Sequence, residues 1–238
     1  LCSGTPENLQ WFGKLCADKY EVTKQMIMNI GDELKYLGRT IRRTHGGYEW
    51  EGDDKHLRIL QEEWGMLRCN AVNTPAEAAR DATVGHSHPK DSPPLMEASA
   101  ATKYRRAAAR INYVAQDRPD IAVAANQLAR SMAVPREGDE KGIKRLIRYL
   151  AGSPRCVYVY RYQTEPTVID VMSDSEGAGC RVTSRSTSGC AVLHGSHLLL
   201  HWSKMQANVA LSSGEAELSA QVKGVSEGLC VRNAARDW

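Results

Sequence analysis

Two carboxylates stand where acid chemistry could be done. Asp174 closes the apolar run Val168-Ile-Asp-Val-Met-Ser-Asp, which reads as a buried strand, and Glu217 falls in the first turn of the helix that Ala210-Leu-Ser-Ser-Gly-Glu-Ala-Glu opens. Two like charges delivered to one place by a strand end and a helix start each disfavour ionisation of the other unless a cation lies between them. Hard oxygen ligands of this kind suit Mg²⁺ or Mn²⁺ rather than Zn²⁺. The alternative is that both are acids of the surface.

The helix itself separates the roles of its glutamates. Ser212 and Glu215, three residues apart, form a capping box, so Glu215 is occupied with the backbone donors of the helix start. Leu218, Val222, Val225 and Leu229 form the stripe expected to be buried. Glu217 lies about 160° around the helix from Glu215, which leaves Glu217 as the one free to meet Asp174.

A second constellation, Cys190 with His194, His197 and His201, falls on a hairpin across Gly195-Ser196, where a leading glycine suits a type II′ turn. That register places His194 opposite His197 and His201 opposite Cys190. His194 and His201 would be separated by four residues along the strands, roughly 13 Å. One metal cannot span that, so these are structural residues. His86 and His88 lie without a Cys or carboxylate pattern in an Ala-, Pro- and Ser-rich stretch and are read as solvated linker residues rather than zinc ligands.

The elements that must position these groups follow from periodicity. Residues 8–20 carry Leu9, Phe12, Leu15 and Cys16 at helical spacing, and residues 21–30 read as a strand-like or irregular apolar run. Gly46-Gly47 between extended segments signals a hairpin, and a helix from Asp54 carries Leu57, Leu60 and Trp64 before Gly65 closes it. Residues 76–100 have the composition of a linker. Three helices follow: one over residues 104–113 with Arg105, Arg106 and Arg110 outside, one started by Asp117-Arg-Pro-Asp, and one around Ile143, Leu146, Ile147 and Leu150. On another face of the third, Lys141, Lys144, Arg145 and Arg148 make a basic stripe, either a solvated face or a phosphate track. After Gly152 the period becomes two, with strands expected over residues 156–162, 168–174, 188–193 and 197–202.

Composition bounds the class. A chain of 238 residues with 42% hydrophobic and 25% charged side chains is globular, and a net charge of +3 leaves any basic surface to be local. With one Phe, at position 12, base stacking would fall to Tyr and Trp. Seven cysteines without a C-x-x-C pair fit free thiols in a reducing compartment. No run approaches the roughly 18 apolar residues of a membrane span, and no signal-peptide pattern opens the chain, so a cytoplasmic or nuclear location is expected. The start at Leu1 suggests a piece of something longer.

The segments Tyr104-Arg-Arg-Ala-Ala-Ala-Arg-Ile-Asn-Tyr, Arg118-Pro-Asp-Ile-Ala-Val-Ala, Ser173-Asp-Ser-Glu-Gly-Ala-Gly, Ser184-Arg-Ser-Thr-Ser-Gly and Ala210-Leu-Ser-Ser-Gly-Glu-Ala-Glu resemble, in order and spacing, the signatures of the copia-type retrotransposon Pol polyprotein. Leu34-Lys-Tyr-Leu-Gly-Arg, Trp64-Gly-Met and Asn73-Thr-Pro resemble the end of that family's reverse transcriptase. The resemblance covers nearly the whole chain. It implies a C-terminal part of a reverse transcriptase (residues 1–75), a linker (76–100), a helical connection (101–153) and a truncated ribonuclease H-like domain (154–238).

The implied fold is α/β: an incomplete ribonuclease H-like mixed sheet with a packed helix, preceded by the helical connection and a small α+β thumb-like piece. By the same resemblance residues 34–41, with Tyr36, Leu37 and Gly38, would hold a primer end, and Asp174 and Glu217 would be the first two of four nuclease carboxylates binding two Mg²⁺ (or Mn²⁺) ions on an RNA–DNA hybrid. Ser212, Ser213 and Gly214 would face the hybrid backbone, with Arg185 and the basic stripe as further nucleic-acid contacts. The remaining parts of the Pol polyprotein are implied partners, and a membrane is not.

Departures from the family pattern limit what this chain is expected to do. The polymerase Asp pair is missing, since Asp53-Asp54 follows the primer-holding hairpin instead of preceding it. Asp237 comes too early to be a third nuclease carboxylate, and Glu176-Gly177 replaces the usual Asp-Trp. The isolated chain is therefore expected to be inactive and poorly soluble, through an exposed strand edge. A decayed relic and a non-catalytic hybrid-binding module are the alternatives.

Overall fold

The computed structural model describes residues 4–23, 25–76, 93–177, 179–180 and 183–236. The expected helix near the start is α1 (Pro6–Ala17), capped by Thr5 and burying none of its residues. The described residues of 21–30 form no strand. His86, His88 and Asp237 lie outside the described residues.

Strands β1 (Glu33–Tyr36), β2 (Arg39–Thr44), β3 (Gly47–Gly52) and β4 (Val157–Arg161) form one antiparallel sheet in that order. The β1–β2 turn puts Leu37 and Gly38 both at positive φ, 48° and 74°, the pattern of a type I′ turn that matches strand twist. The second hairpin turns at His45-Gly46, one residue before the expected pair. Gly47 is already in β3, and a Cβ there would run into the carbonyl oxygen of Tyr160 on β4. That close approach requires the glycine.

β4 is the largest departure in topology. Residues 156–162 were expected as a strand of the same part of the chain, 154–238, as the strand that carries Asp174, but β4 pairs with β3, with Tyr158 opposite Trp50. A cross-strand aromatic pair of this kind stabilises the ladder, and residues 162–168 then carry the chain on as coil.

The main core is helical. α2 (Lys55–Glu63), α3 (Ala98–Val114), α4 (Ala122–Arg130) and α5 (Glu140–Gly152) bury Leu60, Tyr104, Ile111, Leu128, Leu146 and Ile147 against one another. α3 begins at Ala98, inside the stretch read as linker. The expected helical start at Asp117-Arg-Pro-Asp is instead two 3-10 turns, Ala115–Asp117 and Pro119–Ile121, before α4. Arg118 explains the break: at φ −138° and ψ 81° it is extended, as steric conflict with a following proline demands.

Arg118 is buried and forks onto Asp120, at 2.9 and 2.7 Å, while also donating to the carbonyl of Ser153. Tyr149 donates its hydroxyl to the same carboxylate. Burial opposes the charge of Asp120, but the Arg118 fork and Tyr149 outweigh it and hold its pKa below the ordinary value. A lowered folded-state pKa means that the stabilisation is complete above the unfolded value and is lost as pH falls through the folded one. Urea unfolding midpoints should therefore drop below about pH 4, and the drop should be smaller in Asp120→Asn.

β5 (Ile169–Glu176), β6 (Thr187–His194) and β7 (His197–Met205) make the second sheet, with α6 (Ser213–Arg236) across β5 and β6. Both sheets are antiparallel among the described residues, where a mixed sheet was expected. Gly195 has φ 60° and Ser196 does not share it, as a type II′ turn requires, and His194 faces His197. His201 stands opposite Ala191, not Cys190, because the ladder steps from Val192↔Leu200 to Leu193↔Leu198 and leaves Leu199 as a bulge.

The capping box forms with a one-residue shift: Ser212 Oγ accepts from Glu215 N at 3.1 Å, while Glu215 Oε2 accepts from Leu211 N, the residue before the N-cap, at 2.6 Å. The inward face is not the expected one. Leu218, Val222, Val225 and Leu229 remain 59%, 64%, 52% and 42% exposed, while Ala216, Ala220, Gly224 and Gly228 are buried. Small residues at every fourth position let the helix lie close to the sheet. A Cβ at Gly228 would come within 2.5 Å of Val171 Cγ2, and one at Gly224 within 3.3 Å of Cys190 Sγ.

Candidate functional site

The last residues of β5 and the start of α6 meet. Alternation along β5 turns Val171, Ser173 and Ser175 inward and leaves Asp170, Met172, Asp174 and Glu176 exposed. Glu217 reaches the strand from the helix side, where its Oε1 accepts from the amide of Ser175 at 3.4 Å. The helix carboxylate is thus brought to the backbone next to Asp174, while the pleat turns the Asp174 side chain to the outer face. Ser175 Oγ is buried there with no hydrogen-bond partner. Among the described residues no group of three His, Cys, Asp or Glu is arranged to hold a metal ion.

The other sequence-selected residues scatter. Ser212 is committed to the helix cap, and Ser213 and Gly214 are exposed beside it. Arg185 is half-buried in the loop before β6, where its carbonyl accepts from Cys180 N at 3.1 Å. The basic stripe divides in two. Lys141 and Lys144 are exposed, but Arg145 donates to Thr74 Oγ1 at 2.6 Å and Arg148 donates to the carbonyl of Asn70 at 2.7 Å. Those two arginines fasten residues 70–74 to α5, so a four-cation track is not what the helix presents. At the β1–β2 turn Leu37 is exposed, Tyr36 and Gly38 are half-buried, and the Leu37 carbonyl accepts from Tyr113 of α3 at 3.5 Å.

The three hairpin histidines do a structural job that local periodicity could not signal. His197 Nε2 contacts the carbonyl of Arg161 at 2.8 Å, His194 Nε2 that of Pro166 at 2.9 Å, and His201 Nε2 both Tyr158 Oη and the Gln116 carbonyl at 3.1 Å. Gln163 adds bonds to His194 O and to Ser196. Together they dock the β6–β7 hairpin on β4 and the coil after it. On the other side, Arg130 of α4 donates to Thr187.

Comparison with known proteins gives the lineage. Over 197 residues, 82% of the chain, the sequence is 35% identical to a retrovirus-related Pol polyprotein from transposon RE1 of Arabidopsis thaliana, and over 198 residues 32% identical to that from transposon RE2. The chain is homologous to retrotransposon Pol polyproteins. The resemblance to the copia-type family read from the motifs is borne out. This Pol-related chain spans only 13% of the length of either polyprotein. It is also 26% identical, over 81% of its residues and 75% of the relative's, to an uncharacterised mitochondrial protein of Arabidopsis thaliana. No family model and no solved structure matches it. No helix of the described residues is long and apolar enough to cross a membrane.

Proposed function

We propose that β5, β6, β7 and α6 of this Pol-related chain form the opening part of a ribonuclease H-type unit that hydrolyses the RNA strand of an RNA–DNA hybrid. The meeting of Glu217 with the Ser175 amide, one residue from Asp174, carries the reading. Mg²⁺ keeps several waters and takes one or two carboxylates together with phosphate oxygens. Asp174 and Glu217 would be that protein share, with Mn²⁺ as the substitute, once the Asp174 side chain, which the pleat turns to the outer face, is brought round to the Glu217 side. When bound, the ion supplies Lewis-acid stabilisation of the phosphodiester and activates water. The chain's own part is to hold Glu217 by its hydrogen bond to Ser175 N, to fix the α6 start through Ser212 and Glu215, and to offer the exposed Ser213 and Gly214 to the hybrid backbone. Residues 1–75, with the Leu37-Gly38 turn, are the reverse-transcriptase part in this reading, and residues 101–153 the connection.

The test is cleavage of a labelled RNA–DNA hybrid, with and without Mg²⁺, by the chain alone and by the chain within its full reading frame. We expect cutting only by the longer form, and only with the metal. Asp174→Asn and Glu217→Gln should each return it to background. Cutting that survives both substitutions sinks the assignment. A non-catalytic, hybrid-binding relic is the second reading, favoured by the pleat that turns Asp174 to the outer face of β5. It predicts binding without cutting. With Lys141 and Lys144 as the exposed cations of α5, the salt slope would be shallow, at about −0.9 per phosphate neutralised.

A further inference from the structure

The stripe that α6 leaves in solvent is symmetric along its own length. Leu218, Val222, Val225 and Leu229 are spaced 4, 3 and 4 residues apart, the a/d rhythm of a helix that packs against another helix. Glu215 precedes the stripe by three residues and Arg232 follows it by three, both exposed. At about 100° per residue both fall within about 50° of the stripe's centre line, on opposite flanks. Every member has a mate at equal distance from the point midway between Lys223 and Gly224: Leu218 with Leu229, Val222 with Val225, Glu215 with Arg232.

A two-fold axis through that point sets each residue of one helix against its mate on an antiparallel copy. We propose that α6 docks on α6 of a second copy of this chain, leucine on leucine at each end of the seam and valine on valine at its middle. Glu215 of each copy faces Arg232 of the other. An isologous contact needs this kind of self-complementarity, and apolar side chains at this spacing interleave at the shallow crossing angle of coiled coils. A parallel pair would place Glu215 on Glu215 and Arg232 on Arg232, so charge selects the antiparallel arrangement. The residues between the apolar positions that flank the seam, Ser219, Gln221 and Ser226, are uncharged and add no repulsion. The seam is only about two heptads long, a small contact, which makes a weak dimer in concentration-dependent exchange with the monomer. Glu217 and the buried Ala/Gly face lie outside the contact, so the proposal stands independently of the nuclease reading.

Sedimentation equilibrium on the full chain from about 1 to 200 μM tests it. The expected result is a monomer–dimer equilibrium. Val222→Asp should weaken association at least tenfold with unchanged far-ultraviolet circular dichroism, since Val222 touches solvent in the monomer. Arg232→Glu, which sets a second carboxylate against Glu215 across the seam and leaves the Glu215–Leu211 cap intact, should weaken it. A monomer across the whole range overturns the proposal and leaves the stripe to some other occupant. So does an oligomer indifferent to Val222→Asp. A dimer unchanged by Arg232→Glu, with helicity intact, overturns the antiparallel pairing.

Discussion

Replacing Gly228 by leucine should cost about 2–3 kcal/mol, the range for forcing bulk into a packed contact. A Cβ alone at that position meets Val171 Cγ2 at 2.5 Å, and valine is stiff about its first side-chain bond, so it cannot swing away cheaply. Glycine in a helix interior is itself unfavourable by roughly 1 kcal/mol relative to alanine. Its presence in α6 therefore reflects close approach rather than helix preference. The control is Ser226→Leu, two residues away on the exposed side, which should stay within about 0.5 kcal/mol. Denaturant unfolding of both variants, followed at low protein concentration, separates a packing effect from a general effect of added bulk. Equal midpoints for the two would remove the close-packing account of the Ala/Gly face.

Leu146→Ala should destabilise by about 2–5 kcal/mol through loss of transfer energy and an unfilled cavity. Leu146 is fully buried among Leu60, Tyr104, Ile111 and Ile147, and domains of this size are stable by only about 5–15 kcal/mol in total. The two substitutions should act on different cooperative units. The helical core holds no residue of the second sheet, while Val192, Cys190, Ala216 and Ala220 are buried in β6 and α6. The joint between the units includes the hydrogen bonds of the hairpin histidines and the Tyr160–His197 ring contact, and contributes no residue to the helical core. Hydrogen exchange should accordingly show Leu146→Ala loosening α3 to α5 while β6 keeps its protection, and Gly228→Leu doing the reverse. A single transition that shifts as a whole under either change would argue for one unit instead.

The parts legible in the sequence are those whose information is local. α5 was readable because its four buried residues repeat at helical spacing against charged neighbours, and the II′ hairpin because Gly195 supplies a positive φ. The capping box placed α6 and gave Glu215 its role, so the approach of Glu217 to the strand was foreseeable from the wheel. The inward face of α6 was misread for a physical reason. Hydrophobicity favours Leu and Val, but this sheet is approached so closely that only Ala and Gly fit. The partner of β4 is more than a hundred residues away in sequence and leaves no trace in a window of ten. The register of His201 shifted because of one bulged residue, Leu199. Arg145 and Arg148 looked like free cations because their acceptors, Thr74 Oγ1 and the Asn70 carbonyl, lie far off along the chain.

The acceptors at the histidine joint have a bearing on how such a chain drifts. His194, His197 and His201 reach mainly for the carbonyls of Pro166, Arg161 and Gln116, and a main-chain oxygen is present whatever side chain the codon specifies. Substitutions at positions 116 and 161 can therefore accumulate without dissolving the joint, as long as the backbone path is kept. The three histidines have no such freedom. Mutational tolerance at this boundary goes position by position: permissive at 116 and 161, strict at the three histidines and at Tyr158, Tyr160 and Gln163, whose side chains make their own bonds to the hairpin, so surviving copies should vary in the first group and agree in the second.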